Sequence, residues 1–283
     1  MDYTKKLFQL LALFISILFY SQSDKNDALH GNFTYVLKAK LNKQTPDYIH
    51  EEFFSLQVGE KRAFFASTQS IKKDSVLGKS YVMGNNPDGS ITINLKNGTS
   101  VPKTKFPYTI IQSNEKVQYF QPVGMAVLTY QEPVIGNWKL IDEVKAINAI
   151  NCKRAEVTYK GRNWIAWYST EIPLPYGPYK FSGLPGLIIK ITDEKGEYDF
   201  ELIKSVPTSQ LAGKSISIKK TRYTEAVETT QSKFEQALKA SNDNIAGVLA
   251  SSGTTILSGQ EKINQRQKEL DLIRKYLNPI ELE

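Results

Sequence analysis

Chemistry in this chain has few groups to start from. The 283 residues hold two histidines, His30 and His50, and one cysteine, Cys152. Neither histidine has a second histidine or a cysteine at ligand spacing. Glu51 and Glu52 follow His50, but no later ligand completes a set, so no metal and no cofactor is expected. Ser182 precedes Gly183 without a nucleophile elbow and reads as a turn residue. Phosphate loops and dinucleotide fingerprints are absent, and Pro185 removes a backbone donor from the one glycine-rich stretch. Cys152 has no intrachain partner and, in a strand-like run, reads as a buried inert thiol. Asp142 and Glu143 are adjacent, so on a strand they point to opposite faces and form no acid–base pair by themselves. Glu171 stands beside a proline-rich loop, in reach of Arg162 or a ligand; the competing reading is a surface carboxylate. A hydrolase here would use carboxylates such as Asp142 or Glu171 with Arg162, converging in one pocket.

The aromatic side chains are more concentrated than the ionisable ones. Trp164, Trp167, Tyr168, Tyr176, Tyr179 and Phe181 fall within 18 residues, threaded by Pro173, Pro175 and Pro178. Residues before prolines (Ile172, Leu174, Gly177, Leu184) are biased towards extended backbone, which stiffens the loop. Such a loop either caps a core or lines a ligand groove. On the second reading, Arg162 and these six aromatics are the candidate ligand-binding residues. The loop ends in Gly183-Leu184-Pro185-Gly186-Leu187-Ile188, whose centre reads as a type II turn, with proline pre-setting φ and Gly186 taking positive φ. An apolar run follows, as in a strand buried on both faces.

The elements that must position these groups are mostly strands. Segments starting at Asn32, Phe53, Arg62, Ile91, Tyr108, Lys116, Trp138, Ala149, Asn163, Leu187 and Glu197 carry strand signatures, and Ile216 and Ile218 mark one more. Asp88-Gly89 and Asn97-Gly98 are hairpin punctuation, and 68–80 holds a short helix. Tyr223, Val227, Phe234 and Leu238 predict a helix over 221–240, and Leu270, Ile273 and Leu277 a second over 264–277, separated by a small, polar stretch at 247–259. The pattern is α+β: a large, mainly antiparallel curved sheet, half-barrel or sandwich-like, with two C-terminal helices. The expected organisation is a signal peptide at 1–23, a β-rich body at 24–220 carrying the Gly183–Ile188 turn, and a helical part at 221–283 on the same domain. In the first segment Lys5 and Lys6 precede an apolar run, Leu7 to Phe19, that is shorter than the about 20 residues of a membrane span. The protein is therefore expected to be exported, periplasmic or secreted, and not integral to a membrane after cleavage. The net charge of +7 is spread among acids without a dense basic block, so no nucleic-acid partner is expected.

Trp138, Cys152-Lys153, Ala155, Gly161-Arg162, Trp167, Pro173, Gly177-Pro178, Phe181 and Gly183 to Ile188, with Asn278-Pro279-Ile280-Glu281-Leu282, resemble the GLPGLI family, Porphyromonas-type exported proteins of the Bacteroidetes. The resemblance implies a secreted or periplasmic location and assigns no catalytic residue. Asp74-Ser75-Val76 is similar to the tripeptide that Bacteroidetes O-glycosylate, which would place a glycan on Ser75. The functional expectation is a non-catalytic envelope protein, not an enzyme, that binds an apolar or extended ligand or an envelope protein partner. The alternatives are a periplasmic hydrolase using carboxylates near the aromatic loop, and a structural or assembly component of the envelope.

Overall fold

The structure, a computed structural model, describes residues 27–85, 91–95, 100–243, 265, 268, 271–272 and 274–283. The segment 1–23, the Asp88-Gly89 and Asn97-Gly98 turns, the 247–259 stretch, Leu270 and Ile273 lie outside the described residues.

The chain opens with β1 (Gly31–Ala39), β2 (His50–Val58), β3 (Ala63–Ser67) and the helix α1 (Thr68–Ser80), then a small hairpin of β4 (Tyr81–Asn85) and β5 (Ile91–Leu95). Next come β6 (Thr109–Gln112), β7 (Lys116–Val123), β8 (Ala126–Pro133), β9 (Lys139–Ile147), β10 (Ile150–Tyr159) and β11 (Arg162–Ser169). After the aromatic loop follow β12 (Leu187–Asp193), β13 (Tyr198–Ser205), the short β14 (Val227–Glu228) and the helix α2 (Gln231–Asp243). All strands but β4 and β5 form one curved 12-stranded sheet, ordered β14-β8-β7-β6-β3-β2-β1-β13-β12-β11-β10-β9. Its pairings are antiparallel except β14 on β8. Two tight hairpins hold one edge in register. Asn148 and Ala149 (φ 50° and 62°) join β9 to β10, and Lys160 and Gly161 (φ 50° and 73°) join β10 to β11. Paired positive φ values of this kind match the natural strand twist.

Alternation along β1 buries Phe33, Tyr35, Leu37 and Ala39 on the inner face. There Phe54 stacks on Phe65 at 4.8 Å, and Phe200 meets both edge-on. β3 is buried on every residue because its outer face is covered too. Phe64, Ile111 and Phe120 pack beneath Leu211, Ile216 and Ile218 of the chain after β13. Those two isoleucines therefore sit in a loop that plugs the sheet, not in the expected extra strand. The expected helix over 221–240 likewise begins only at Gln231, since Tyr223 packs on Phe64 and Phe120 while Val227 pairs with Leu128. Tertiary packing overrides the helical spacing of those two residues. Residues 265, 268, 271–272, 274 and 275 are helical.

The sheet curls until its two ends meet. β8 is second from one edge and β10 second from the other. Yet the Tyr159 hydroxyl of β10 donates to Glu132 Oε2 of β8 at 2.6 Å. Among the described residues, no helix is long and apolar enough to cross a membrane.

Candidate active site

The aromatic loop is core. None of Trp164, Trp167, Tyr168, Tyr176, Tyr179 and Phe181 is more than 7% exposed, and Phe181 packs on Trp164 at 4.6 Å between ring centres. Buried Gln112 of β6 fixes the loop, donating to the carbonyls of Gly177 (2.8 Å) and Tyr179 (2.6 Å). The Trp138 indole donates to Ser182 O at 2.9 Å. Gly183 carries the positive φ (92°), and a Cβ there would stand 2.7 Å from Ile135 O. Gly186 does not carry one, which corrects the expected type II turn. Leu184–Gly186 is a bend in which Leu187 N–H donates to Ile172 O at 2.9 Å. Glycine stands at 186 because an added Cβ would lie 2.1 Å from Ser169 O. Leu187 and Ile188 then run fully buried into β12, as expected of a two-faced strand.

The carboxylates and arginine proposed from sequence do not converge. Asp142 and Glu143 sit in a β-bulge on the open edge strand β9, where Glu143 pairs with Arg154 at 2.6 Å. Glu171 is exposed and accepts from Asn151 at 2.8 Å. Ser75 is exposed on α1, next to Asp74, whose carboxylate pairs with Arg222. Cys152 is fully buried and donates to Ile150 O at 3.3 Å; burial pushes its thiol up to about 11.

Two buried cations instead hold the segment Asn278–Glu281 across the sheet. Arg162 donates to Asp193 (2.9 Å), Glu197 (2.7 Å), Asn278 Oδ1 (2.8 Å) and the carbonyls of Pro279 (2.7 Å) and Ile280 (3.0 Å). Lys180, 1% exposed, meets Glu132 (2.9 Å), Glu281 (2.5 Å) and the Tyr130 hydroxyl (2.8 Å) among the rings of Tyr119, Tyr130 and Tyr179. Burial pushes the Glu132 carboxyl up, but Lys180 and the Tyr159 hydroxyl outweigh it and hold the group below the usual carboxylate range. Tyr179 adopts φ 54°, uncommon for a bulky residue, and is held by Gln112 on its carbonyl and Glu281 on its hydroxyl (2.6 Å). Each cation is closed in by its partners, which makes both clusters clamps.

Another buried carboxylate, Glu52, holds a histidine that lines a cavity. Glu52 lies on β2 two residues after His50, so both side chains face the same side. Glu52 is 4% exposed and accepts from the hydroxyls of Ser67 and Thr104 on Oε1. Its Oε2 meets His50 Nε2 at 3.2 Å. Ser67 is also the N-cap of α1, accepting from the amides of Gln69 (3.1 Å) and Ser70 (3.4 Å). The Glu52 charge is thereby tied to the positive end of the helix. His50 packs at a tilt against Phe106 (5.8 Å between ring centres) and lines a cavity of about 540 Å³ with Lys73, Lys103, Lys105, Val101 and Pro102. A carboxylate that fixes one imidazole nitrogen of a histidine lining a cavity is a pairing that general bases and their orienting groups use.

Sequence reasoning considered His50 and Glu52 only as metal ligands, and among the described residues no group of three or more His, Cys, Asp or Glu could hold a metal. The signal available was the two-residue spacing on a strand. Ser67 and Thr104, far from it in the chain, gave none.

Residues 137–190 match a family described as a protein of unknown function (Porph_ging), a stretch of about 54 residues that covers β9 to most of β12. No curated protein matches the chain. Two solved structures of PNGF-II, in the P21 and C2 space groups, are similar to it at 13% identity, with TM-scores of 0.49 and 0.47. They cover 76% and 75% of this chain and 34% and 33% of theirs, so the chain spans about a third of the length of PNGF-II.

The packing removes the groove on which the expectation of a non-catalytic protein binding an apolar or extended ligand rested, and that expectation is withdrawn together with the reading that the chain is not an enzyme. The aromatics that were to line a groove are buried core, and buried carboxylates stand among aromatic rings, one of them beside an open cavity.

Proposed function

We propose that the protein is an exported hydrolase of the GLPGLI type whose reaction centre is His50 with Glu52. The observation that carries this reading is a buried carboxylate, held by two hydroxyls, that fixes an imidazole at the edge of a cavity. In the reading, Glu52 accepts from Nε2–H, which leaves Nδ1 as the acceptor. Nδ1 takes a proton from a water whose oxygen attacks the electrophilic centre of the substrate. The same proton then passes to the leaving group, so one bond forms, one breaks and the imidazole returns neutral. Glu52 stabilises the imidazolium in between, as an orienting carboxylate does. Carboxylates near the aromatic core thus take part, but not Asp142 or Glu171.

The test is a panel of p-nitrophenyl esters, glycosides and phosphates with the full chain and its His50→Gln and Glu52→Gln variants. A positive substrate should lose on the order of 10²-fold or more in kcat with His50→Gln, the range of general-base contributions. Its melting temperature should stay near wild type, since His50 is only partly buried. Undiminished turnover in folded His50→Gln would overturn the assignment.

A further inference from the structure

The cavity beside His50 carries charge that the fold does not use. Lys73 comes from α1, and Lys103 and Lys105 from the segment entering β6. Among the described residues, none of these three ammonium groups has an ion-pair partner. No carboxylate lines the cavity. Glu52, the nearest buried acid, already accepts from Ser67, Thr104, His50 and the Lys105 amide (3.4 Å), and it is shielded from the cavity by those partners. Buried and half-buried lysines elsewhere on this protein do find acids: Lys180 pairs with Glu132 and Glu281, and Lys190 with Asp199 and Glu201. Three like charges around one concave space repel one another and raise the local concentration of anions.

A second, smaller cavity of about 170 Å³ adjoins the first, sharing the wall formed by Lys73, Thr104 and Pro107. Its remaining surface includes one carboxylate, Asp74, neutralised by Arg222, with Phe120, Pro122 and Val127, and also Thr109, whose buried hydroxyl has no hydrogen-bond partner. An unpaired buried hydroxyl costs about 1–3 kcal/mol, so one lining a cavity points to a polar ligand atom or water. Arg222 cannot serve there as an anion hook, because Asp74, Ser70 O and Pro107 O occupy it.

We infer that this paired cavity is an oxyanion-binding subsite: it takes a substrate bearing a phosphate, sulfate or carboxylate group, held by Lys73, Lys103 and Lys105 next to His50, with an uncharged portion reaching Thr109. Lysines act as point charges without the planar fork of arginine, so they accept a tetrahedral or a planar oxyanion alike. The inference deepens the hydrolase reading and rests on it for the word substrate, but the anion site is measurable without turnover.

The experiment is titration of the full chain with inorganic phosphate, sulfate and acetate in separate arms, read by NMR shifts of the His50 ring and by calorimetry. Wild type should bind at least one of the three, with affinity falling as sodium chloride rises. The triple variant Lys73→Gln, Lys103→Gln, Lys105→Gln should bind at least tenfold more weakly at an unchanged melting temperature, since all three side chains are exposed. The arm that binds tightest names the anion. Absence of binding in all three arms, or equal binding by the triple variant, overturns the subsite. Glu52→Gln separates the two claims. Anion binding that persists while His50→Gln and Glu52→Gln leave hydrolysis untouched keeps the subsite and removes the catalytic reading. Loss of hydrolysis without any anion binding does the reverse.

Discussion

Glu52 serves two structures with one carboxylate. One oxygen takes hydroxyls that start α1 and fix the segment before β6, and the other holds the His50 ring. A carboxylate so held must have its hydrogen bonds complete, because a buried charge without partners is costly. The sequence shows the pair His50–Glu52 once β2 is recognised as starting at His50. It does not show Ser67 or Thr104, which come from 15 and 52 residues away. Cys152 is the contrasting case, since its burial was legible from its strand setting. With its thiol pushed up to about 11 by burial, almost none is thiolate at neutral pH. A disulfide-exchange reagent should leave the native protein unlabelled at pH 8 and modify one thiol per chain in denaturant. Stoichiometric labelling of the native protein within minutes would show the thiol is reachable.

At the scale of elements, two short irregular pieces set the geometry of β9 to β12. The bend Leu184–Gly186 follows the aromatic loop into β12, and its glycine is required by the close carbonyl of Ser169. Gly186→Ala should therefore destabilise at or above the upper end of the about 1–3 kcal/mol typical of overpacking, as read from urea midpoints. Gly183→Ala adds positive φ to a contact with Ile135 O and should cost as much, whereas Gly196→Ala, in open space, should show only a backbone penalty near 1 kcal/mol. A midpoint for Gly186→Ala within error of wild type would refute the close-contact account. The bulge at Asp142 and Glu143 twists the exposed edge strand and places charge on it, a device that discourages pairing with another chain. Most strand positions and the α1 helix were readable because period-two alternation and turn residues are local, whereas β4, β8 and β14 gave no such signal. Ile216, Ile218 and Tyr223 misled because their apolar side chains answer the outer face of β3, β6 and β7, and Val227 because its backbone pairs with β8, neither of which a local pattern records.

Over the whole molecule, two ends of one sheet meet at Glu132, and Lys180 sits between them under the segment Asn278–Glu281. The carboxyl of Glu132 is held below its ordinary value, so its contribution to stability is present above the ordinary carboxylate pKa and lost as pH falls through the lowered one. Glu132→Gln should have a lower urea midpoint than wild type at pH 7, and the gap should close as pH falls below about 4. A gap that stays constant with pH would mean that the charge does not contribute. Removing 278–283 strips Arg162 of three acceptors and Lys180 of Glu281, and should cost about 3–5 kcal/mol, the penalty for a buried charge left short of its partner. Asn278→Ala, which keeps both charges paired, should cost less. The curved antiparallel sheet was legible as a class from its hairpins, but its closure was not, because Glu132, Tyr159, Lys180 and Glu281 are ordinary surface-type residues until the sheet brings them together. The order in which a ribosome makes these parts adds a constraint of its own. Every strand of the sheet is made before residues 278–281, so Arg162 and Lys180 stay short of acceptors until that later segment docks. Satisfaction of the two buried cations is therefore the last step that the order of these parts permits.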